Sequence, residues 1–368
     1  MSAAMGVHES IFNNFLSDTF HLSADARGRL EFPRELPGLL VVLTAGVLCL
    51  LPLTRVAVVG ALGFAAGMVG IAMWGTSYGP MLVMMMLGSA GMHLLHPVRA
   101  SVALALSNDS NRGLRMGQTS AIGSAGMVLG AGLVWVWFDA SAPPYAAGFL
   151  CVAALAAVGA AVYFTMNVPE LHQPRARLVI RRRYGLYYAL EFLFGARKQI
   201  FITFGPWVLI QVYGEPASGI ARLLMIASIV GIAFKPLAGM AIDRFGERNV
   251  MIADGLMLAV VCVGYGYAIR LTGDPDTARL VACVCFVADN MLFALGASRT
   301  VYLSRQTRSP QEINSTLAMG VSVNHIASMT IPAVAGAVWI GLGYERVFAG
   351  AAVLALIISA VSTRVPRK

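Results

Sequence analysis

Gly239-Met240-Ala241-Ile242-Asp243-Arg244-Phe245-Gly246-Glu247-Arg248 is a charged turn wedged between two apolar runs, Ile220 to Ile242 and Val250 to Leu271. A helix rises 1.5 Å per residue, so about 20 residues span a hydrocarbon core of about 30 Å, and each run is long enough to cross. The turn therefore lies at a membrane surface. Its glycines allow the helix ends to approach closely. Asp243 is suited to accept backbone N–H bonds at a neighbouring helix N-terminus, and Arg244 and Arg248 to reach carboxylates or lipid phosphates. This chemistry ties helix ends together; it does not make or break bonds.

The composition extends that reading to the whole chain. Of its 368 residues 58% are hydrophobic and 12% charged, the balance of a polytopic membrane protein rather than of a soluble domain. The net charge of +9 does not point to nucleic acid, because the arginines sit in short loops and form no soluble basic face. Cys49, Cys151, Cys262, Cys283 and Cys285 all fall in apolar segments and read as small apolar fillers, with no disulfide framework and no metal cluster. Residues 1 to 20 lack a basic n-region and a small-residue cleavage site, so they are not a signal peptide.

Eleven apolar runs are long enough to cross: Pro37 to Leu53, Val56 to Trp74, Pro80 to Leu104, Thr119 to Phe138, Tyr145 to Phe164, Tyr187 to Tyr213, Ile220 to Ile242, Val250 to Leu271, Leu280 to Leu303, Ile313 to Trp339 and Val347 to Val361. Lys and Arg concentrate at alternate ends. Arg55, the loop with Arg112 and Arg115, the central Arg175 to Arg183 stretch, the Asp243 turn, the Arg305 to Arg308 loop and the tail Arg364 to Lys368 are expected on the cytoplasmic side. That places a multi-pass protein in the inner (cytoplasmic) membrane with its C-terminus inside. The connections on the other face are too short for a folded domain.

An internal repeat divides the chain. Ala100-Ser101 and Leu106-Ser107 recur as Ala297-Ser298 and Leu303-Ser304, 197 residues later, and Ala131-Gly132-Leu133-Val134-Trp135 recurs as Ala335-Gly336-Ala337-Val338-Trp339, 204 later. The expected layout is an N-terminal helix bundle over 1–164, a basic cytoplasmic linker over 165–185 and a C-terminal bundle over 186–368. Aligning Gly239 with Gly46 makes Gly46 to Arg55 the first-half counterpart of the turn, with Leu50 in place of the aspartate. The same offset starts the first helix about seven residues before Met1. Ile11 to Phe20 becomes its outer end and His21 to Glu31 an outer loop, while a free polar N-terminal segment outside the membrane is the other reading.

The spacing G-x-x-x-D-R-x-G-x-R of the turn resembles the signature loop between the second and third helices of each half in major facilitator superfamily transporters. Arg27-Gly28 leading to Glu31-Phe32-Pro33-Arg34-Glu35-Leu36-Pro37-Gly38, Tyr187 to Gln199, and Asn324-His325 resemble one bacterial branch of that superfamily. His96-Pro97 and Arg112-Gly113 are similar to the fosmidomycin-resistance group of drug exporters. The resemblance implies an all-α major facilitator fold of two six-helix bundles with pseudo-twofold symmetry, about eleven full transmembrane helices plus a shortened first one. Two departures bear on proton antiport: Gly123, Gly126, Gly130 and Gly132 are not followed by the proline of the antiporter fifth-helix motif, and the fourth helix lacks an arginine in its outer half.

Ionisable groups within hydrocarbon are costly and normally face a partner or water. Counting along the helices, Arg197, Asp289 and His325 fall roughly 15 to 20 Å deep, near the midplane, where a transporter of this fold holds its substrate. Asp289 and Arg197 are expected to form a charge-compensated pair perturbed by substrate or proton, with Asn290, Asn324, His325 and Gln199 lining the cavity and Glu191 nearer the cytoplasmic end. A static interhelical ion pair is the alternative. Glu191 has Lys198 or a loop arginine as candidate partner. The gating latch is Gly239, Asp243, Arg244, Gly246 and Arg248. His93 and His96, at i and i+3, read as packed histidines rather than metal ligands. The expected activity is secondary transport of a small organic solute by alternating access, with possible proton-coupled efflux. The alternative is a non-transporting membrane sensor or assembly protein retaining the fold. No cofactor and no nucleic acid is expected, only a small-molecule substrate, protons, the lipid bilayer and a monomeric state. With no paired nucleophile and base and no full metal set, the chain does not read as an enzyme.

Overall fold

The computed structural model describes residues 1–48, 51–105, 112–166, 180–307 and 310–367. Among them every regular element is helical: α1 (Ser2–Phe20), α2 (Ala24–Arg29), α3 (Glu31–Leu48), α4 (Leu53–Trp74), α5 (Tyr78–Ala105), α6 (Arg112–Trp137), α7 (Tyr145–Thr165), α8 (Gly185–Gln211), α9 (Ala217–Phe245), α10 (Glu247–Thr272), α11 (Pro275–Leu292), α12 (Ala297–Gln306), α13 (Pro310–Leu342) and α14 (Tyr344–Ser362). Nine spans among the described residues are long and apolar enough to cross a membrane. Helices satisfy every backbone group internally, which hydrocarbon requires. Leu50 of the first-half turn and most of the basic linker lie outside the described residues.

Contacts group the chain into two compact units. The first is Met1–His21, Pro33–Ala176 and Pro216–Ile229; the second is Leu22–Phe32, Arg177–Glu215 and Val230–Lys368. In the first unit α4 packs on α5 and α7, and α1 on α6 and α7. Small residues set the α4–α5 crossing, as their spacing predicts: a Cβ on Gly60 would lie 2.8 Å from the Gly91 carbonyl oxygen, and one on Gly67 2.5 Å from the Gly88 nitrogen. α1 buries a polar face, His8, Ser10, Asn13, Asn14 and Ser17, with the His8 ring stacked on Phe12 and edge-on to Phe64. In the second unit α10 packs on α14 and α11, and α13 on α8 and α2.

Three expectations change. The outer loop expected over His21 to Glu31 is largely helix. Ser23 caps α2 by accepting from the Ala26 N–H, and Gly28 and Gly336 let α2 lie directly on α13: their Cβ atoms would fall 2.2 Å from the Pro332 carbonyl oxygen and 2.6 Å from the Ala24 carbonyl oxygen. The helix expected from Pro37 starts at Glu31, with Pro37 inside it; a helix tolerates proline within its membrane span where neighbouring groups satisfy the freed carbonyl. The run Leu280 to Leu303 is one continuous apolar stretch in sequence but breaks into a 3-10 turn at Phe293–Gly296. There Gly296 leaves room for the Arg299 guanidinium and the Phe194 ring, 3.1 and 3.3 Å from where its Cβ would stand.

The Gly239–Arg248 turn also differs in where it bends. α9 runs on to Phe245, and the chain reverses at a single residue, Gly246, at φ 81°, a backbone conformation glycine adopts without strain. Gly239 sits inside α9 with open space where a Cβ would be, so it does not bring the helix ends together. Asp243 and Arg244 are exposed on the last turn of α9. An ion pair reaches from this turn to another helix through its glutamate, Glu247, with Arg305 on α12 at 2.7 Å.

Candidate functional site

The second unit holds a buried charge cluster on three helices. α8 opens after a 3-10 turn at Arg182–Tyr184 and closes at Gly214, φ 66°, which centres Arg197 about 18 Å along it. Gly195 presses α8 onto α13, its Cβ position 2.6 Å from the Asn324 carbonyl oxygen, and thereby fixes the rotation of α8. Arg197 then turns toward α10 and α11, where its Nη2 lies 3.3 Å from Asp289 Oδ1 and 3.8 Å from Asp254 Oδ1. All three are deeply buried, 2%, 2% and 6% exposed. Arg197 makes no hydrogen bond through any of its side-chain nitrogens, nor do these two carboxylate oxygens, so the cluster is held by charge rather than by aligned hydrogen bonds. The guanidinium also lies 4.7 Å from the Phe293 ring centroid and 5.7 Å from that of Phe194, both within cation–π range.

Beside it stands a matched pair. Arg299 Nε donates to Glu191 Oε1 at 2.9 Å, and the Arg299 guanidinium lies 3.4 Å over the Phe194 ring. Phe194 thus has a cation close to it from each pair. Lys198 points away from this group and donates to Asn324 Oδ1 at 3.0 Å, while Asn324 Nδ2 donates to the Glu191 carbonyl oxygen at 3.4 Å. The 3-10 break at Phe293–Gly296 aims Asp289 and Arg299, on either side of it, at the same part of α8.

Arg197 and Asp289 are therefore brought together. Glu191 pairs with Arg299, not with Lys198 or a loop arginine, because the α8 turn carrying it faces α12. Asn290 Nδ2 donates to the Phe286 carbonyl of its own helix. His325 is buried on α13 next to Asn324. Gln199 belongs to a different group: its Nε2 donates to Glu31 Oε2 at 2.6 Å, and Glu31 is bonded by Arg27 one helical turn before it. Arg27 and Glu31 are 1% and 0% exposed, with Trp207 5.9 Å from the guanidinium.

Sequence reasoning missed Asp254, Arg299 and the Arg27–Glu31 pair as interior charges. The i, i+4 spacing of Arg27 and Glu31 was a legible signal. Asp254 and Arg299 each interrupt an apolar run within a few turns of its charged end, where a snorkelling side chain reads the same as a buried one.

Comparisons with known proteins were made against this geometry. The family model of the Major Facilitator Superfamily matches residues 10–312. The fold is similar to that of the nucleoside transporter NupG, with TM-score 0.76 and 14% identity over 98% of this chain and 95% of that one. It is also similar to the inward-open xylose transporter XylE from E. coli, with TM-score 0.76 and 14% identity over 100% and 94%. A bacterial homolog to the human lysosomal transporter Spinster gives TM-score 0.70 and 15% identity over 98% and 93%. At such identities the likeness is one of fold. No curated protein matches the sequence.

Proposed function

The chain belongs to the Major Facilitator Superfamily, and from that premise we propose that it is a proton-coupled secondary transporter of a small organic solute, with Arg197 and Asp289 as its coupling pair. Membership and the membrane-spanning helices make it a multi-pass membrane protein of a transporter family. The coupling role rests on one observation, the buried Arg197–Asp289 contact of 3.3 Å between the middle of α8 and the last turn of α11, just before the 3-10 break. A carboxylate so placed ionises or takes a proton according to whether water or only Arg197 solvates it. Alternating access changes that solvation on each cycle. Asn324, His325 and Asn290 supply polar groups on neighbouring turns for a solute with hydroxyl or amide functions. Export is the direction favoured by the likeness of His96-Pro97 and Arg112-Gly113 to drug exporters.

The test uses purified protein in proteoliposomes containing a pH-sensitive dye, challenged with nucleosides, pentoses, and organic anions and cations. A solute-dependent proton flux in the wild type, lost in Asp289→Asn, supports the reading. Solute flux with an intact proton signal in Asp289→Asn removes the pair from coupling. Absence of flux for every solute favours a non-transporting protein that retains the fold.

A further inference from the structure

We propose that the coupling site is a three-residue cluster in which Asp254 and Asp289 share a single proton and Arg197 selects which of them carries it. The inference deepens the coupling role given above and rests on it. One guanidinium faces two carboxylates, at 3.3 and 3.8 Å from the same Nη2, so it can neutralise only one of them. Arg299 also acts on Asp254, but with Glu191 included two guanidiniums face three carboxylates, so among the described residues of the cluster one negative charge is left over. Arg299 is committed to Glu191, Lys198 to the neutral Asn324, and the remaining ionisable neighbours of Asp289 are the thiol of Cys262 and the phenol of Tyr265 on α10; that phenol donates to the Gly205 carbonyl. α14 presents Ser359 against Gly255, the residue after Asp254, and its hydroxyl donates to the Ile252 carbonyl. A buried carboxylate with neither a counter-ion nor a hydrogen bond is strongly disfavoured. Binding one proton removes the excess charge.

The guanidinium lies closer to Asp289, so in this arrangement Asp289 is the ionised partner and Asp254 the protonated one. Neither Oδ1 atom is hydrogen-bonded to Nη2, and a small swing of Arg197 toward α10 reverses the assignment. Asp289 then receives the proton and Asp254 becomes the counter-ion. The balance is simple: a carboxylate and one proton from water give a carboxylic acid, and release to water on the other side restores the carboxylate. Asp254 is thus a second proton carrier rather than a scaffold charge.

Single substitutions of either aspartate leave one carboxylate matched to one guanidinium, a neutral pair with no reason to bind a proton. Infrared difference spectroscopy of the lipid-reconstituted protein, stepped through pH without any solute, reads the C=O stretch of a protonated carboxyl directly. The expected result is a wild-type carboxyl component lost in both Asp254→Asn and Asp289→Asn, kept but shifted in Asp254→Glu, and unaltered in Glu345→Gln, a salt-bridge residue of the opposite helix end. Size-exclusion profiles and helical circular dichroism confirm that each variant is folded. Loss in Asp289→Asn with retention in Asp254→Asn overturns the sharing while leaving Asp289 as coupling residue. Retention in Asp289→Asn, or no such component in the wild type, overturns the sharing and the coupling role together.

Discussion

Glu191 and Arg299 show what a buried charge costs when its partner is removed. Their side chains are about nine-tenths buried and joined at 2.9 Å, and breaking such a pair from one side costs about 3–5 kcal/mol. Glu191→Gln is expected to lower the thermal stability of the purified protein by about 3 kcal/mol, and the double variant Glu191→Gln/Arg299→Gln to recover most of it; equal losses in the single and double variants would mean that the pair contributes packing and no charge complementarity. A similar contrast applies to the turn after α9. Asp243→Asn is expected to lower transport without unfolding the protein, and Glu247→Gln, which breaks the contact with Arg305, to lower it further. Unchanged rates in both would remove the turn from the transport cycle. At the N-terminal end of α11, Thr277 donates to Asp274 through both its N–H and its hydroxyl, and these bonds hold the Asp274 carboxyl below the usual aspartate range. A depressed carboxyl contributes stability above its unfolded pKa, near 3.8, and loses it as pH falls through the lower folded value. Protection of the amides in the first turn of α11, taken relative to their intrinsic exchange rate at each pH, should therefore fall in acid, and Asp274→Asn should flatten that dependence.

α2 is the element whose place depends most on a few atoms. Six residues make too short a helix to persist alone, and its hold on α13 comes from the glycine contacts at Gly28 and Gly336 and from the buried Arg27–Glu31–Gln199 chain. A side chain on residue 28 would meet backbone, which cannot give way as a flexible side chain does. Overpacking of this kind typically costs about 1–3 kcal/mol, so Gly28→Val is expected to raise hydrogen exchange over Ala24–Arg29 by on the order of tenfold or more. Ser23→Ala, which removes the cap, should act in the same direction at about 1 kcal/mol. No change in either variant would mean that α2 is held by its chain connections alone. The helix itself was hidden in the sequence because a loop and a short docked helix share polar composition; only the neighbour that covers Ala24, Arg27 and Gly28 separates them.

For the whole molecule, the arrangement of Lys and Arg predicts a cytoplasmic C-terminal tail, so a C-terminal green fluorescent protein fusion should fluoresce while an alkaline phosphatase fusion at the same point stays inactive; the reverse would invert the topology. Class, approximate helix positions and family were legible from the chain alone. Hydrocarbon admits only long apolar helices with charges gathered at their ends, so hydropathy and the Asp243–Arg248 turn carry that information locally, residue after residue. The pairing of Arg197 with Asp289 was legible too, since both interrupt apolar runs at mid-depth. What the tertiary structure decided is which buried charges face one another: that Asp254 joins Arg197, that Arg299 takes Glu191, and that Gln199 turns to Glu31. Those choices depend on the rotation of each helix, set by where glycines such as Gly195, Gly28 and Gly296 let backbones and side chains close in, and a hydropathy pattern does not record the angle at which two distant helices meet.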